Sequence, residues 1–370
     1  MIIGIPKEIK NHEYRVGVVP SGVRALVEAG AKVVVEKSAG IGSNIADREY
    51  EEAGAKILQS AEEVYNSSEM IIKVKEPLSA EYPFLREGLI LYTYLHLASS
   101  RELTEELIKR KVSAIGYETI QLENGSLPLL LPMSEIAGKL SIQVGASFLE
   151  KEHGGRGILL GGVPGVLPGK VTIIGGGTAG INAAKVACGM GADVTILDIR
   201  QEKMAYIDDI FGARIKTLMS NSHNIEISLS EADLVVGAVL IPGKKAPVVI
   251  PKKLISSMKK GSVFVDIAVD QGGCAETTRP TTHSNPVFVE EGVTHYCVTN
   301  MPAAVACTST YALTNVTIPY AVKIAVMGFK EAVKSDSALG LGVNTFAGNI
   351  TCRGVAESFS MNYTAVENLL

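Results

Sequence analysis

The chain has no tryptophan, no paired-cysteine motif, no strong charge excess and no long uninterrupted apolar run. The missing tryptophan discriminates nothing, but each other absence removes a class of function. A formal net charge of −4 leaves no electrostatic case for binding nucleic acid or an anionic membrane. Cys188, Cys274, Cys297, Cys307 and Cys352 form no CxxC pair and have no histidine at metal-ligand spacing. They read as unpaired, reduced thiols, and no metal site is expected. Glycine, proline or charge interrupts every apolar stretch before it reaches the length of a bilayer span. The opening Met1-Ile-Ile-Gly-Ile-Pro-Lys-Glu8 reads as a strand rather than the apolar core of a secretory signal, so the expected location is cytoplasmic. Internal repeats and low-complexity runs are absent.

What is present points to an α/β protein. A length of 370 residues exceeds one typical core and suits two domains. Hydrophobic residues at 46% and 37 glycines fit buried strands joined by tight turns. A mean hydropathy of +0.23 then signifies large buried area, subunit interfaces included. The most informative stretch is Val171-Thr-Ile-Ile-Gly-Gly-Gly-Thr-Ala-Gly180, followed by Val194-Thr-Ile-Leu-Asp198. Gly175, Gly177 and Gly180 match the dinucleotide fingerprint: a tight turn, room for a pyrophosphate, and close helix–strand contact. The helix that begins there offers N–H groups and the positive end of its dipole to phosphate. Asp198 closes the second strand, where a carboxylate can bond both ribose hydroxyls. A nicotinamide enzyme is expected.

Residues 1–125 alternate strands and helices, a rhythm that predicts a parallel sheet. Strands are expected at Ile2–Ile5, Lys32–Glu36, Met70–Lys75, Leu89–Tyr94 and Ser113–Gly116, with helices at Ser21–Gly30, Asp47–Ala55 and Arg101–Arg110. A long helix is expected over Ser134–His153 with Ser134 as its cap, then a Gly/Pro-rich loop over Gly154–Gly169. A second series of strands follows at Val194–Leu197, Asn224–Ser228, Leu234–Gly237, Ser262–Asp266 and Thr294–Cys297, and a long helix over Ser309–Val333. Because the fingerprint lies mid-chain, the nucleotide domain reads as an insertion. The expected division is 1–128 with 307–370 as the substrate domain and 129–306 as the nucleotide domain. Both would be doubly wound and Rossmann-like, with the active site in a crevice between them.

Four residues could carry chemistry. Arg15 follows the first strand, Lys75 and His96 end strand regions, and Asp270 follows Val263-Phe-Val-Asp266. Singly, each has an ordinary reading: a solvated cation, strand punctuation before Pro77, a hydrogen-bonded histidine, a turn acid ahead of glycines. Ligands of open α/β sheets sit beyond the carboxyl ends of strands. A base, an ammonium and a guanidinium so placed suit an enzyme that grips a small carboxylate and moves a proton beside a nicotinamide.

With these residues in view, the chain resembles the alanine dehydrogenase family from end to end. The resemblance is carried by Gly4-Ile-Pro-Lys-Glu-Ile-Lys-Asn-His-Glu-Tyr-Arg-Val16, Lys73-Val-Lys-Glu-Pro77, Tyr94-Leu-His96, Leu131-Pro-Met-Ser134 and Ile173–Gly180. It continues through Gly237–Gly243, Asp266–Cys274, Val298-Thr-Asn-Met-Pro302 and Gly342-Val-Asn344. The nucleotide-binding part of proton-translocating transhydrogenase is a close relative of that family. The resemblance implies NAD-dependent conversion of L-alanine to pyruvate and ammonia and the reverse reaction, in L-alanine catabolism, by a cytoplasmic homohexamer. It implies that Arg15 and Lys75 hold the substrate carboxylate and that His96 and Asp270 handle protons. It also implies that Ser134, Asp198, Lys203, Ser220, Val239, Leu240, Arg279 and Met301 line the NAD site. Thr178, Ala179, Ile267, Ala268, Val269, Asp270, Val298, Thr299 and Asn300, from the same motifs, join them. Arg200 lies two residues beyond Asp198. An arginine there suits a 2′-phosphate and the aspartate repels one; Asp198, aimed at the hydroxyls, decides for NAD.

Overall fold

Strands such as Met70-Ile-Ile, Leu234-Val-Val-Gly and Val263-Phe-Val-Asp carry apolar residues in succession rather than in alternation, and all of their residues are buried. That pattern belongs to parallel strands covered on both faces. The computed structural model describes residues 1–239 and 246–370; the expected NAD contact Leu240 lies outside the described residues. The described chain forms two units, Met1–Met133 with Ala303–Leu370, and Ser134–Pro302.

The first unit holds β1 (Ile2–Ile5), β2 (Lys32–Glu36), β3 (Lys56–Leu58), β4 (Met70–Ile72), β5 (Ile90–Thr93) and β6 (Ser113–Gly116). The second holds β7 (Lys170–Ile174), β8 (Asp193–Asp198), β9 (Ile215–Met219), β10 (Leu234–Gly237), β11 (Val263–Asp266), β12 (Val287–Glu290) and β13 (Val293–Tyr296). The chain then returns to the first unit as β14 (Val343–Phe346) and β15 (Asn349–Ile350).

The first sheet runs β3-β2-β1-β4-β5-β6-β14-β15, and the second β9-β8-β7-β10-β11-β13-β12. Six strands of each are mutually parallel; β14, β15 and β12 are antiparallel additions at an edge. Both orders are doubly wound. In each the strand order reverses at one point, between β1 and β4 and between β7 and β10, and ligands of such sheets bind beyond the carboxyl ends of the strands at that point.

Several elements differ from expectation for local reasons. Asn224–Ser228 lies inside a helix, Ser222–Glu231, because the Asn221 side chain caps the Asn224 N–H at 2.9 Å and Ile225, Ser228 and Leu229 are buried at helical spacing. The strand in that region is β9, partly exposed at the sheet edge. The long helix starts at Leu131, with Pro132 in its first turn, so Ser134 sits within the first turn rather than capping it. It ends at Phe148, and Lys151–His153 forms a separate 3₁₀ turn. Helix Ala306–Met327 stops at Gly328, whose φ of 77° breaks the run before Phe329–Ser335. Met70–Ile72 ends three residues before Lys75, a shortening that matters below.

Candidate functional site

In the first unit, three of the expected residues follow β1, β4 and β5, the strands at and beside the reversal. Arg15 is 2% exposed, on the loop after β1. Its Nε and Nη2 donate to Glu13 Oε1 and Oε2 at 2.7 and 2.6 Å, and Nη1 reaches Met133 Sδ at 3.1 Å. Burial disfavours the charged guanidinium, but the Glu13 carboxylate outweighs it and raises the pKa. Lys75 is half-buried. Its backbone N–H donates to Glu8 Oε1 at 3.2 Å, and its carbonyl accepts from Thr93 Oγ1 at 2.9 Å. His96 is exposed, holds a left-handed φ of 49°, and stacks on Tyr94 with ring centres 5.9 Å apart. Its N–H and that of Leu95 both donate to the Glu118 carboxylate, at 2.6 and 3.1 Å. A non-glycine residue held left-handed stores strain that the neighbouring structure must impose, and this carboxylate supplies part of the constraint. A cavity of about 490 Å³ is lined by the loop after β1, including Glu8, His12, Glu13 and Arg15, and by Ser38, Ala39, Ile41 and Gly42.

In the second unit, the fingerprint turn links β7 to helix Thr178–Gly189. Gly175 has a φ of 108°, which no side chain adopts easily, and a Cβ there would also strike the Ala238 carbonyl at 2.5 Å. A Cβ on Gly180 would collide with the Gly175 carbonyl. Gly177 is different: no described residue lies within 4 Å of its missing Cβ. Packing among the described residues therefore leaves Gly177 unconstrained, and the space before the helix N-terminus is where a pyrophosphate approaches in this fingerprint. Thr178 and Ala179 begin that helix. Asp198 ends β8 nearly buried; its Oδ2 accepts from Gly176 N–H at 2.7 Å and its Oδ1 from Arg200 N–H at 2.9 Å. Arg200 Nε stands 3.5 Å from Oδ1, with its side chain half exposed. Ser220 N–H donates to the Asp198 carbonyl at 2.9 Å, and Lys203 lies in helix Gln201–Phe211. These residues fit an adenosine ribose and pyrophosphate.

Asp270 is exposed on a 3₁₀ turn, Ile267–Gln271, directly after β11 and together with Ile267, Ala268 and Val269. Buried Asp266 organises the turn. Its Oδ1 accepts from Ala268 N–H at 2.9 Å, and its Oδ2 from Cys274 N–H at 2.9 Å and the Thr278 hydroxyl at 2.6 Å. Burial raises the Asp266 pKa, and these donors oppose the rise. Val298 and Met301 are buried after β13, with half-buried Thr299 and a left-handed Asn300, φ 65°, between them. Arg279 is exposed and lies over the Phe288 ring at 4.1 Å. Val239 follows β10, and Ser134 is half-buried in helix Leu131–Phe148.

Four carboxylates escaped the sequence reading: Glu8, Glu13, Glu118 and Asp266. Each binds backbone or side chain next to an expected site residue. Glu13 stands two positions from Arg15, and Asp266 caps the turn four residues before Asp270. Those short spacings were the available signals. Glu8 and Glu118 reach their targets only through the sheet.

Family models match both halves of the chain: "Alanine dehydrogenase/PNT, N-terminal domain" over residues 4–137 and "Alanine dehydrogenase/PNT, C-terminal domain" over 141–353. Alanine dehydrogenase 2 of Staphylococcus aureus (strain USA300) is 58% identical over 371 residues, covering 100% of both chains. Alanine dehydrogenase of Staphylococcus haemolyticus (strain JCSC1435) is also 58% identical, over 100% of this chain and 99% of its own. A solved L-alanine dehydrogenase superposes with a TM-score of 0.95 at 54% identity, over 97% of this chain and 99% of that one. The transhydrogenase of Sinorhizobium meliloti, at 23% identity, shares the fold with a TM-score of 0.83 over 95% of this chain and 100% of its own. The chain belongs to the alanine dehydrogenase/PNT family.

Proposed function

We propose that this chain converts L-alanine, NAD⁺ and water to pyruvate, ammonium, NADH and a proton, and runs the reverse reductive amination. Full-length identity of 58% to an alanine dehydrogenase carries the reading. The placement of Arg15, Lys75, His96 and Asp270 on the segments that follow β1, β4, β5 and β11 supports the assignment of roles.

A bound nicotinamide would supply the hydride-accepting chemistry for oxidation at alanine Cα. Everything else falls to the protein. Arg15 and Lys75 bind the substrate carboxylate. Glu13 holds the guanidinium through Nε and Nη2 and so fixes the plane in which Arg15 meets the substrate carboxylate. His96 contacts the substrate and takes or returns a proton there. Asp270 acts as the second acid/base group, at the amino or carbinolamine centre, as water adds to iminopyruvate and ammonia leaves. Fixed backbone at Lys75, His96 and Asp270 contributes by positioning, since misplaced groups forfeit much of the rate of an oriented reaction. Asp198 selects NAD through the ribose hydroxyls. Gly175, Gly177 and Gly180 shape the pyrophosphate site. The enzyme is proposed to act in the cytoplasm as a homohexamer; a monomer mass by light scattering would remove that part.

Purified chain should form NADH from L-alanine and NAD, and a panel with glycine, L-serine and NADP should rank alanine with NAD first. Absence of NADH formation with L-alanine would overturn the reading.

A further inference from the structure

We infer that Glu8, held by Lys73, is a positioning residue for substrate binding: its carboxylate fixes the backbone from which Lys75 projects. The inference rests on the proposed role of Lys75 as a carboxylate anchor.

Pairing between β1 and β4 ends at Gly4 with Ile71, and β4 itself ends at Ile72. Beyond that point the Val74 and Lys75 N–H groups both donate to one atom, Glu8 Oε1, at 2.6 and 3.2 Å. A side-chain oxygen therefore does the work of an absent neighbouring strand, as buried backbone donors require a partner. The other oxygen, Glu8 Oε2, lies 3.4 Å from Lys73 Nζ. That ammonium also donates to Glu81 Oε1 at 2.6 Å. Glu81 Oε1 accepts from the Tyr65 hydroxyl at 2.9 Å, and Glu81 Oε2 from Leu78 N–H at 3.0 Å. The segment from Lys73 to Leu78 is thus pinned near its start by Glu8 and at its end by Glu81, with Lys73 joining the two carboxylates. Thr93 fixes the Lys75 carbonyl from β5.

All three charged groups are buried, with Lys73 at 0% exposure. Burial raises the Glu8 pKa, and Lys73 opposes the rise. A buried charged triad is a poor source of stability, because apolar replacements of similar volume often match or exceed it. What it supplies here is a defined geometry at one strand end.

The test uses the full-length enzyme in reductive amination. Glu8→Ala should raise the KM for pyruvate about tenfold or more, with kcat within about threefold of wild type and NADH affinity unchanged. Glu8→Gln keeps an acceptor at Oε1 and should recover most of the pyruvate KM. Glu8→Asp keeps the charge beside Lys73 but withdraws the oxygen from the backbone, and should recover little. In a Lys75→Ala background, Glu8→Ala should add less than about twofold, since the residues act through one contact. An unchanged pyruvate KM in Glu8→Ala, the same increase with and without Lys75, or better recovery by Asp than by Gln would overturn the inference. If Glu8→Ala does not fold, the Gln and Asp pair decides the matter by the same ordering. An unchanged pyruvate KM in Lys75→Ala alone would instead overturn the anchor role itself, whatever the Glu8 variants show.

Discussion

Replacing Asp198 tests the origin of coenzyme choice. The nearly buried carboxylate ends β8, where the adenosine ribose is proposed to lie. A 2′-phosphate in place of the hydroxyl would bring negative charge to within about 4 Å, where one like-charge pair costs about 4 kcal/mol at an effective dielectric of about 20. Arg200, 3.5 Å from Oδ1 and 51% exposed, offsets part of that, by up to about 1 kcal/mol for an exposed pair. The remaining ~3 kcal/mol corresponds to a preference for NAD of roughly a hundredfold in kcat/KM. Asp198→Ala should bring the two coenzymes to within about tenfold of each other. It should also lower activity with NAD, because the Gly176 N–H loses a charged acceptor at 2.7 Å, an interaction of about 1.5–3 kcal/mol. Arg200→Ala should act in the opposite direction and sharpen the preference for NAD. The assay is kcat/KM for NAD and NADP at saturating L-alanine in all three proteins. Equal use of the two coenzymes by the wild type, or an unchanged ratio in Asp198→Ala, would refute the assignment.

Arg15→Ala should weaken pyruvate binding to the enzyme–NADH complex by about 2–5 kcal/mol and spare NADH binding, while Arg15→Lys restores only part because an ammonium cannot reproduce the fork. Wild-type pyruvate affinity in a titration of Arg15→Ala would relocate the substrate carboxylate. His96→Ala and Asp270→Ala should each reduce turnover by about a hundredfold or more; steady-state rates near wild type would remove the corresponding role. Buried His295 bonds to the Val293 carbonyl through Nδ1 at 2.9 Å and to the Thr277 hydroxyl through Nε2 at 2.8 Å, and burial lowers its pKa from the usual 6.5. The unfolded imidazole takes up a proton before the folded one. Its contribution to stability is therefore complete above about pH 6.5 and is lost as pH falls through the lowered folded value. Thermal melts of wild type and His295→Gln should accordingly converge as pH is lowered from 7.5 to 5.5; a constant gap would count against a neutral buried histidine.

Local chemistry made much of this protein legible in advance. The glycine spacing at Gly175, Gly177 and Gly180 describes a turn formed between one strand and the helix that directly follows it, so sequence order and spatial order coincide there. The apolar runs of β1, β2, β10 and β11 declare strands buried on both faces, and their alternation with helices implies parallel sheets. Arg15, Lys75, His96 and Asp270 stand out because the ends of apolar strands are recognisable and ligands of such sheets collect on the segments beyond them.

Other features depended on partners far along the chain. Asn224–Ser228 has strand-like residues, yet a cap at Asn221 and the demand of neighbouring elements for a buried helical face decided for helix. β14 and β15 return from the far end of the chain to complete the first sheet, which no local periodicity announces. Arg15 reads as a solvated cation until Glu13 and its burial are seen together. Glu8 meets the Lys75 backbone only because β1 and β4 are neighbours in the sheet while 66 residues separate Glu8 from Val74. Periodicity and turn chemistry are properties of adjacent residues and can be read in order. The strand order that places a carboxylate under a distant backbone donor is settled by burying both faces of the sheet at once, and it exists only in the folded chain.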